Sequence, residues 1–288
     1  MAGMTGTQFH AQVIGRSKGR NIYGVIVLIA ALCHPVISLP AAAGEACLAS
    51  MGMMKARVAA VEENNTLVLS DRRRVKLEGL LWTAERGAPA GLQRQALAAL
   101  KQQVGQTVAL RAARPQLDRY GRQRAEVVLS DGTWLQGALL SRGLARAQVA
   151  PDRPECAREL YAAEAEARAA GVGLWAFPQY AIRTPDSLRW RDLGSFQIVE
   201  GTVLNVKVNG RAYLNFGRNW RTDFTVTVSP DDMKTFRHAG VDPYAYAGKR
   251  IRVRGTIDRM NGFEIEVASP EAIQVISAEP NEVTQPSP

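Results

Sequence analysis

Histidine and cysteine are scarce in this 288-residue chain, which has three of each. His10, His34 and Cys33 fall within the first 43 residues, leaving only His238, Cys47 and Cys156 downstream. One histidine and two cysteines exclude a zinc finger and a histidine-rich metal centre. A Ser-His-Asp triad would have to use His238, which follows Phe236 and Arg237 in a polar, helical stretch typical of a surface. Acid is missing from the first 43 residues, which carry Arg16, Lys18 and Arg20. A long apolar run is also missing, apart from Gly24 to Leu39. That run is interrupted by His34 and Pro35 and is shorter than the ~20 residues a membrane span requires.

What is present at the N-terminus has the order of a secretory signal: basic residues, the apolar run, then Pro40 and Ala41-Ala42-Ala43 as a small-residue cleavage site. Residues 1–43 are therefore expected to be a signal peptide, removed near Ala43. The expected location is secreted or periplasmic, in a bacterial cell envelope, with no stable membrane insertion after cleavage. A signal anchor is the alternative. In an oxidising compartment Cys47 and Cys156 are expected to form a disulfide; two free, buried thiols are the alternative.

Charge is uneven. Of the net +9, residues 44–183 hold +6 and residues 184–288 hold none. The basic half fits a polyanionic partner such as DNA or RNA. It equally fits a surface charged only for solubility. No sequence signal bears on oligomeric state.

Short alternating segments predict strands at 54–62, 66–70 and 74–80, then a helix over 90–103, then strands at 106–112 and 122–129. Asp131-Gly132 precedes a short helix that Gly143 stops. A third helix is predicted with Asp152 as N-cap and Glu155 at the capping-box spacing. Its inner face would be Cys156, Leu160, Ala163, Ala167 and Ala170. Five strands with packed helices predict a mainly β, α+β architecture over residues 44–178, an OB-fold barrel with three helices. Residues 179–194 have the composition of a linker. A second, smaller OB-like β-barrel domain is predicted for 195–278. Its strands are expected at 196–208, 212–216, 223–228, 249–259 and 263–268, with a helix at 231–239. Residues 279–288 are polar and proline-rich and are expected to be disordered.

Three motifs carry a family resemblance. Asp118-Arg119-Tyr120-Gly121-Arg122 resembles the D-[KR]-Y-G-R motif of thermonucleases, the staphylococcal-nuclease-like family. Asp131-Gly132 followed by Leu139, Gly143, Leu144 and Ala145 resembles the next segment of that family. Gly173-Leu174-Trp175 resembles its closing motif. The resemblance covers residues 54–178, and 179–278 resembles an extension found in some exported members. It implies Ca²⁺-dependent phosphodiester hydrolysis of nucleic acid, with carboxylates for the metal, a glutamate base and arginines on the phosphate.

Carried over position by position, the resemblance is selective. The first calcium position is Asn65, a neutral and weak ligand, and the second is Leu81. The base position is Ala84, with Glu85 one residue late. The first phosphate arginine is Lys76, a charge without a bidentate fork. The second is retained as Arg122, beside a retained Tyr120, with Arg74 adding charge nearby. No catalytic residue is therefore assigned, and the loss of several electrostatic groups, each worth about 10²–10³ in rate, predicts weak or no hydrolysis.

In the second domain Tyr213, Phe216, Trp220 and Phe224 interleave with Arg211, Arg218 and Arg221, a pattern of single-strand stacking platforms. Three of these aromatics, Tyr213, Phe216 and Phe224, are equally expected as core residues. Trp220, Arg218 and Arg221 are then the candidate contacts. Three functions fit the sequence. The first is an exported nucleic-acid-binding protein that has lost its catalytic carboxylates. The second is a calcium-dependent nuclease using Glu85, Glu63 or Glu78 in a rearranged site. The third is a cell-envelope module that binds protein or glycan.

Overall fold

The computed structural model describes residues 45–49, 51–83, 88–112, 117–219 and 221–276. The signal-peptide expectation for 1–43 and the tail at 279–288 lie outside these residues. The first half contains α1 (Glu45–Ala49), β1 (Gly52–Val61), β2 (Leu67–Leu69), β3 (Arg74–Leu77), β4 (Leu80–Leu81), α2 (Ala90–Lys101), β5 (Thr107–Ala112), β6 (Gln123–Val128), α3 (Leu135–Ser141), β7 (Arg146–Ala147) and α4 (Ala157–Ala169).

Five of these strands form a closed barrel in the order β1-β2-β3-β6-β5. Closure depends on the length of β1. Its first part, Gly52–Arg57, pairs with β5, and its second part, Val58–Val61, pairs with β2. β3 runs parallel to β6. The period-2 pattern puts Val58, Leu67, Leu69, Val75, Leu77, Val108, Leu110, Ala125 and Val127 inside, each buried. Leu100 of α2, Leu139 and Leu140 of α3 and Leu160 of α4 close the same core.

Two motif glycines have a packing reason. A Cβ on Gly143 would lie 2.3 Å from the Val172 carbonyl oxygen, and one on Gly173 would lie 2.3 Å from that of Gly143. The two backbones cross directly, and the Leu174 N–H donates to the Gly143 carbonyl at 2.9 Å. Only glycine permits that approach. The crossing ties the end of α3 to the chain leaving α4. Cys47 of α1 and Cys156, just before α4, form a disulfide with Cα atoms 5.2 Å apart.

The second half contains β8 (Phe196–Thr202), β9 (Asn205–Asn209), β10 (Arg211–Asn215), β11 (Thr225–Val228), α5 (Met233–His238), β12 (Arg250–Thr256), β13 (Asp258–Arg259), β14 (Phe263–Glu266) and β15 (Ile273–Val275). These strands form a five-stranded sheet, β13-β14-β11-β10-β9, and a three-stranded sheet, β15-β12-β8. The second barrel expected from the sequence is not closed, because among the described residues β12 does not pair with β14 as β5 does with β6, though part of the pairing of the first barrel recurs. β8 pairs with the late strand β12, β9 pairs with β10, and β11 runs parallel to β14. Ala212, Leu214, Val226, Val228, Ile251, Val253, Ile265 and Phe236 fill the core of this second β domain.

Several local expectations are corrected. The strand predicted at 74–80 stops at Leu77; Gly79 takes φ +75° and Leu80–Leu81 turns away to pair with β7. The strand predicted at 196–208 splits at Val203-Leu204 into β8 and β9, and β15 has no counterpart among the predicted strands. Asp152 does not cap α4, which starts at Ala157 with Cys156 before it; its carboxylate is taken by Arg124. The predicted alanine face of α4 is not all alanine: Glu164 on it is fully buried, and Ala170 is exposed. Residues 179–194 contain three short 3₁₀ turns, with Tyr180, Leu188 and Asp192 buried.

Candidate nucleic-acid interface

Alternation along β3 and β6 puts Val75, Leu77 and Ala125 inside the barrel and Arg74, Lys76 and Arg124 on its outer face. In the parallel register Lys76 lies opposite Arg124. Arg122, one residue before β6, has the same parity as Arg124. The retained motif therefore sits on a stripe of charge outside the barrel.

The motif builds its own support. Asp118 accepts from the backbone N–H of Tyr120 at 2.9 Å and of Arg122 at 3.0 Å, which closes the tight turn. Its second oxygen takes the Arg122 guanidinium through Nε at 2.8 Å and Nη2 at 2.7 Å. Burial alone would raise the Asp118 carboxyl; the hydrogen bonds from Arg122 and Tyr120 overcome it and hold the group below the ordinary aspartate range. Arg122 Nη1 also donates to the buried Thr66 hydroxyl at 3.2 Å. The guanidinium lies 5.3 Å from the centre of the Tyr120 ring, with Arg119 4.9 Å from that ring. Tyr120 is 59% exposed. Arg122 is thus fixed next to an open aromatic face, with its charge balanced by Asp118 as that of Arg74 is by Glu62.

Thr66 connects this cation to Asn65. The turn before β2 is closed by Asn65 N–H donating to the Glu62 carbonyl and Thr66 N–H donating to Asn64 Oδ1. Asn65 takes φ +63°, which asparagine tolerates better than most residues. Its side chain is buried, and Oδ1 has no hydrogen-bond partner among the described residues. It borders a cavity of about 150 Å³ lined also by Glu63, Trp82, Thr83 and Gln93. Leu81 is paired through its backbone with Arg146. Ala84 and Glu85 lie outside the described residues.

These residues do not fit calcium. The ion takes six to eight oxygens, several of them carboxylate. At the described positions of the resemblance the chain offers one neutral amide oxygen and a leucine. Among the described residues no group of three His, Cys, Asp or Glu side chains is close enough to hold a metal ion.

The other acids are engaged elsewhere. Glu78 is buried and holds Arg124 through two hydrogen bonds, at 2.5 and 3.1 Å. Asp152 holds the same guanidinium at 2.7 and 3.1 Å. These bonds raise the affinity of Arg124 for its proton. Glu63 is exposed and pairs with Lys101 at 3.1 Å. Glu62 takes Arg74 in a bidentate pair, Nε to Oε1 at 2.8 Å and Nη2 to Oε2 at 2.5 Å. Arg74 is therefore neutralised locally. Lys76 forms no ion pair among the described residues. Arg124, the most heavily tied cation of the stripe, has no signal in the sequence: its two partners lie 46 and 28 residues away.

Behind the stripe, Glu126 is buried and accepts the Trp134 indole N–H at 2.8 Å. Burial pushes its carboxyl up to about 8 against that hydrogen bond, and the nearby charge of Glu78 adds to the rise. A folded value above the unfolded one means the native state binds the extra proton. Stability from this group is therefore present at acid pH and falls as pH rises from about 4.5 to about 8. Glu126→Gln keeps an acceptor for Trp134 and is expected to remove that decline. Urea midpoints at pH 5 and 9 check it: the wild type should lose more stability over the interval than the variant.

In the second domain, Phe216 and Phe224 pack on each other, with ring centres 5.0 Å apart, and belong to the core. Tyr213 lies on the outer face. Arg218 and Arg221 are exposed on the loop between β10 and β11. Trp220 lies outside the described residues. His238 is exposed at the end of α5.

In a comparison with known protein families, residues 90–177 match the family described as staphylococcal nuclease homologue. The match runs from α2 to the turn after α4 and includes all three motifs. It leaves out β1–β4, and with them Asn65, Lys76, Leu81 and Ala84. No curated protein matches the chain. The closed five-stranded barrel and this match are consistent with a thermonuclease-like domain of the OB type in the first half of the chain.

Proposed function

We propose that the first barrel binds DNA or RNA through its phosphates and has little or no hydrolytic activity. We also propose that the chain is exported and loses residues 1–43. The observation that carries the binding reading is the Asp118–Arg122–Thr66 arrangement. It fixes one guanidinium beside the exposed Tyr120, on the face where Lys76 has no ion-pair partner among the described residues. The loss of hydrolysis is supported by the neutral Asn65 and the aliphatic Leu81 at the calcium positions. Export is supported by the Cys47–Cys156 bridge, since such bonds persist in oxidising compartments.

The test uses protein recovered from the periplasm, its N-terminus read by mass spectrometry. It is mixed with single- and double-stranded DNA and RNA, with Ca²⁺ or with chelator. Salt-dependent retention without cleavage is expected. Lys76→Ala should weaken retention on all sequences alike and lower the salt slope by about 1. Chelator-sensitive cleavage would overturn the loss of hydrolysis. Retention independent of salt would overturn phosphate binding, an intact residue 1 would overturn removal of residues 1–43, and absence of the protein from the periplasm would overturn export.

A further inference from the structure

The outer face of the second β domain carries a cavity of about 250 Å³ that the first barrel's chemistry does not explain. It lies on β9, β10, β11 and β14, walled by the hairpin tip Met260-Asn261-Gly262. Core positions on these strands are aliphatic; the outward positions are polar and are held in place. Asn215 donates from Nδ2 to Asn205 Oδ1 at 2.9 Å, and its Oδ1 accepts from Thr225 at 3.5 Å. The buried Glu264 accepts the Thr227 hydroxyl on Oε1, which also lies 3.9 Å from Arg211 Nη1. Tyr213 and Phe263 supply apolar walls, and Lys207 stands at the edge. Phe263 packs against Trp190 with ring centres 5.5 Å apart. Trp190 remains 64% exposed although Arg259 also rests on it.

We propose that this face binds a neutral, hexose-based oligosaccharide, with one sugar ring in the cavity against Tyr213 and the next stacked on Trp190. The proposal goes beyond nucleic-acid binding by the first barrel and does not depend on it. Fixed amide, hydroxyl and carboxylate groups on one side and aromatic faces on the other match a ring with equatorial hydroxyls and an apolar C–H face, whose hydrogens meet the negative face of an aromatic. The volume is near the lower end of ligand pockets, about 300–1,000 Å³, so it fits one ring rather than a chain. Charge argues against a polyanion. Residues 184–288 carry no net charge. A phosphate in the cavity would face the Glu264 carboxylate, and Arg211 beside it is already bound to Glu266 and Thr227.

The experiment is calorimetric titration of the full mature chain with cellotetraose, chitotetraose and maltotetraose, and with an oligothymidylate. Binding of at least one neutral tetrasaccharide is expected. Trp190→Ala, at an exposed position, should weaken it on the order of tenfold with an unchanged melting temperature. Tyr213→Phe should bind as the wild type does if stacking is the role of that ring, and Glu264→Gln should weaken binding. Absence of binding by all three saccharides, or saccharide binding that Trp190→Ala and Glu264→Gln leave intact, would overturn the proposal. So would oligothymidylate binding that Trp190→Ala abolishes, which would assign the face to nucleic acid.

Discussion

Replacing both cysteines of the bridge, Cys47→Ala with Cys156→Ala, is expected to lower the unfolding free energy by about 4–5 kcal/mol. The bridge joins residues 109 apart in sequence. The loop it closes contains every strand of the first barrel, so the unbridged chain has far more freedom to gain on unfolding. Both residues are buried, Cys47 against the barrel core and Cys156 at the start of α4. The contact is not a surface tether, and removing it also loosens α1. Urea unfolding of wild type and double variant measures the difference. A change below about 1 kcal/mol would contradict the loop-closure account.

Glu164→Ala is expected to cost about 3–5 kcal/mol, through the charge left without its partner. Glu164 is fully buried on α4, and Arg254 of β12 reaches it from the second domain at 2.8 Å. The same carboxylate accepts the Ala147 N–H at 2.8 Å. Arg254 also donates to the Ala147 carbonyl at 3.2 Å and to Gln274 at 3.1 Å, and lies 3.8 Å from the centre of the Tyr161 ring. Burial raises the Tyr161 hydroxyl to about 12, and the Arg254 charge opposes that rise. Alanine at 164 would strand a guanidinium that is 4% exposed. Glu164→Met combined with Arg254→Met should recover part of the loss, because Arg254 is then no longer stranded, while Arg168, 3.5 Å from the Glu164 carboxylate, still loses a partner. Arg146, donating to the Phe196 carbonyl at 2.6 Å, is a second link between the domains. The single variant removes one of these two links and should lower the cooperativity of unfolding between the two domains. Unfolding of Glu164→Ala at wild-type denaturant concentrations, or a double methionine variant worse than the single, would contradict this assignment.

Most strands of both domains, the order of the main helices and the motif glycines were legible because each depends on local properties. A period of two separates inside from outside, and glycine marks a left-handed turn or a close crossing. Residues 118–122 were legible for the same reason, since Asp118 caps its own turn and holds Arg122 four positions on. What failed depended on partners brought from afar. Asp152 has the spacing of a helix cap, but Arg124 arrives on β6 and takes it. Glu164 has the look of a polar intruder on an alanine face until Arg254 comes from 90 residues away. Tyr213, Phe216 and Phe224 are indistinguishable in sequence, yet Tyr213 points outward from β10 while Phe216 and Phe224, just after β10 and just before β11, pack on each other against the core.

The sequence by itself determined the barrel and the neutral balance of the second half. These follow from residue identity and short-range periodicity. The tertiary structure alone decided which charges are available. Arg74, Arg122 and Arg124 are each held by a carboxylate, and Lys76 is held by none among the described residues. It also placed Trp190, Phe263 and Tyr213, from three separate segments, around one face of the second domain. Pairing energies and side-chain placement of this kind depend on distances between residues that are remote in sequence, and those distances exist only once the chain has folded.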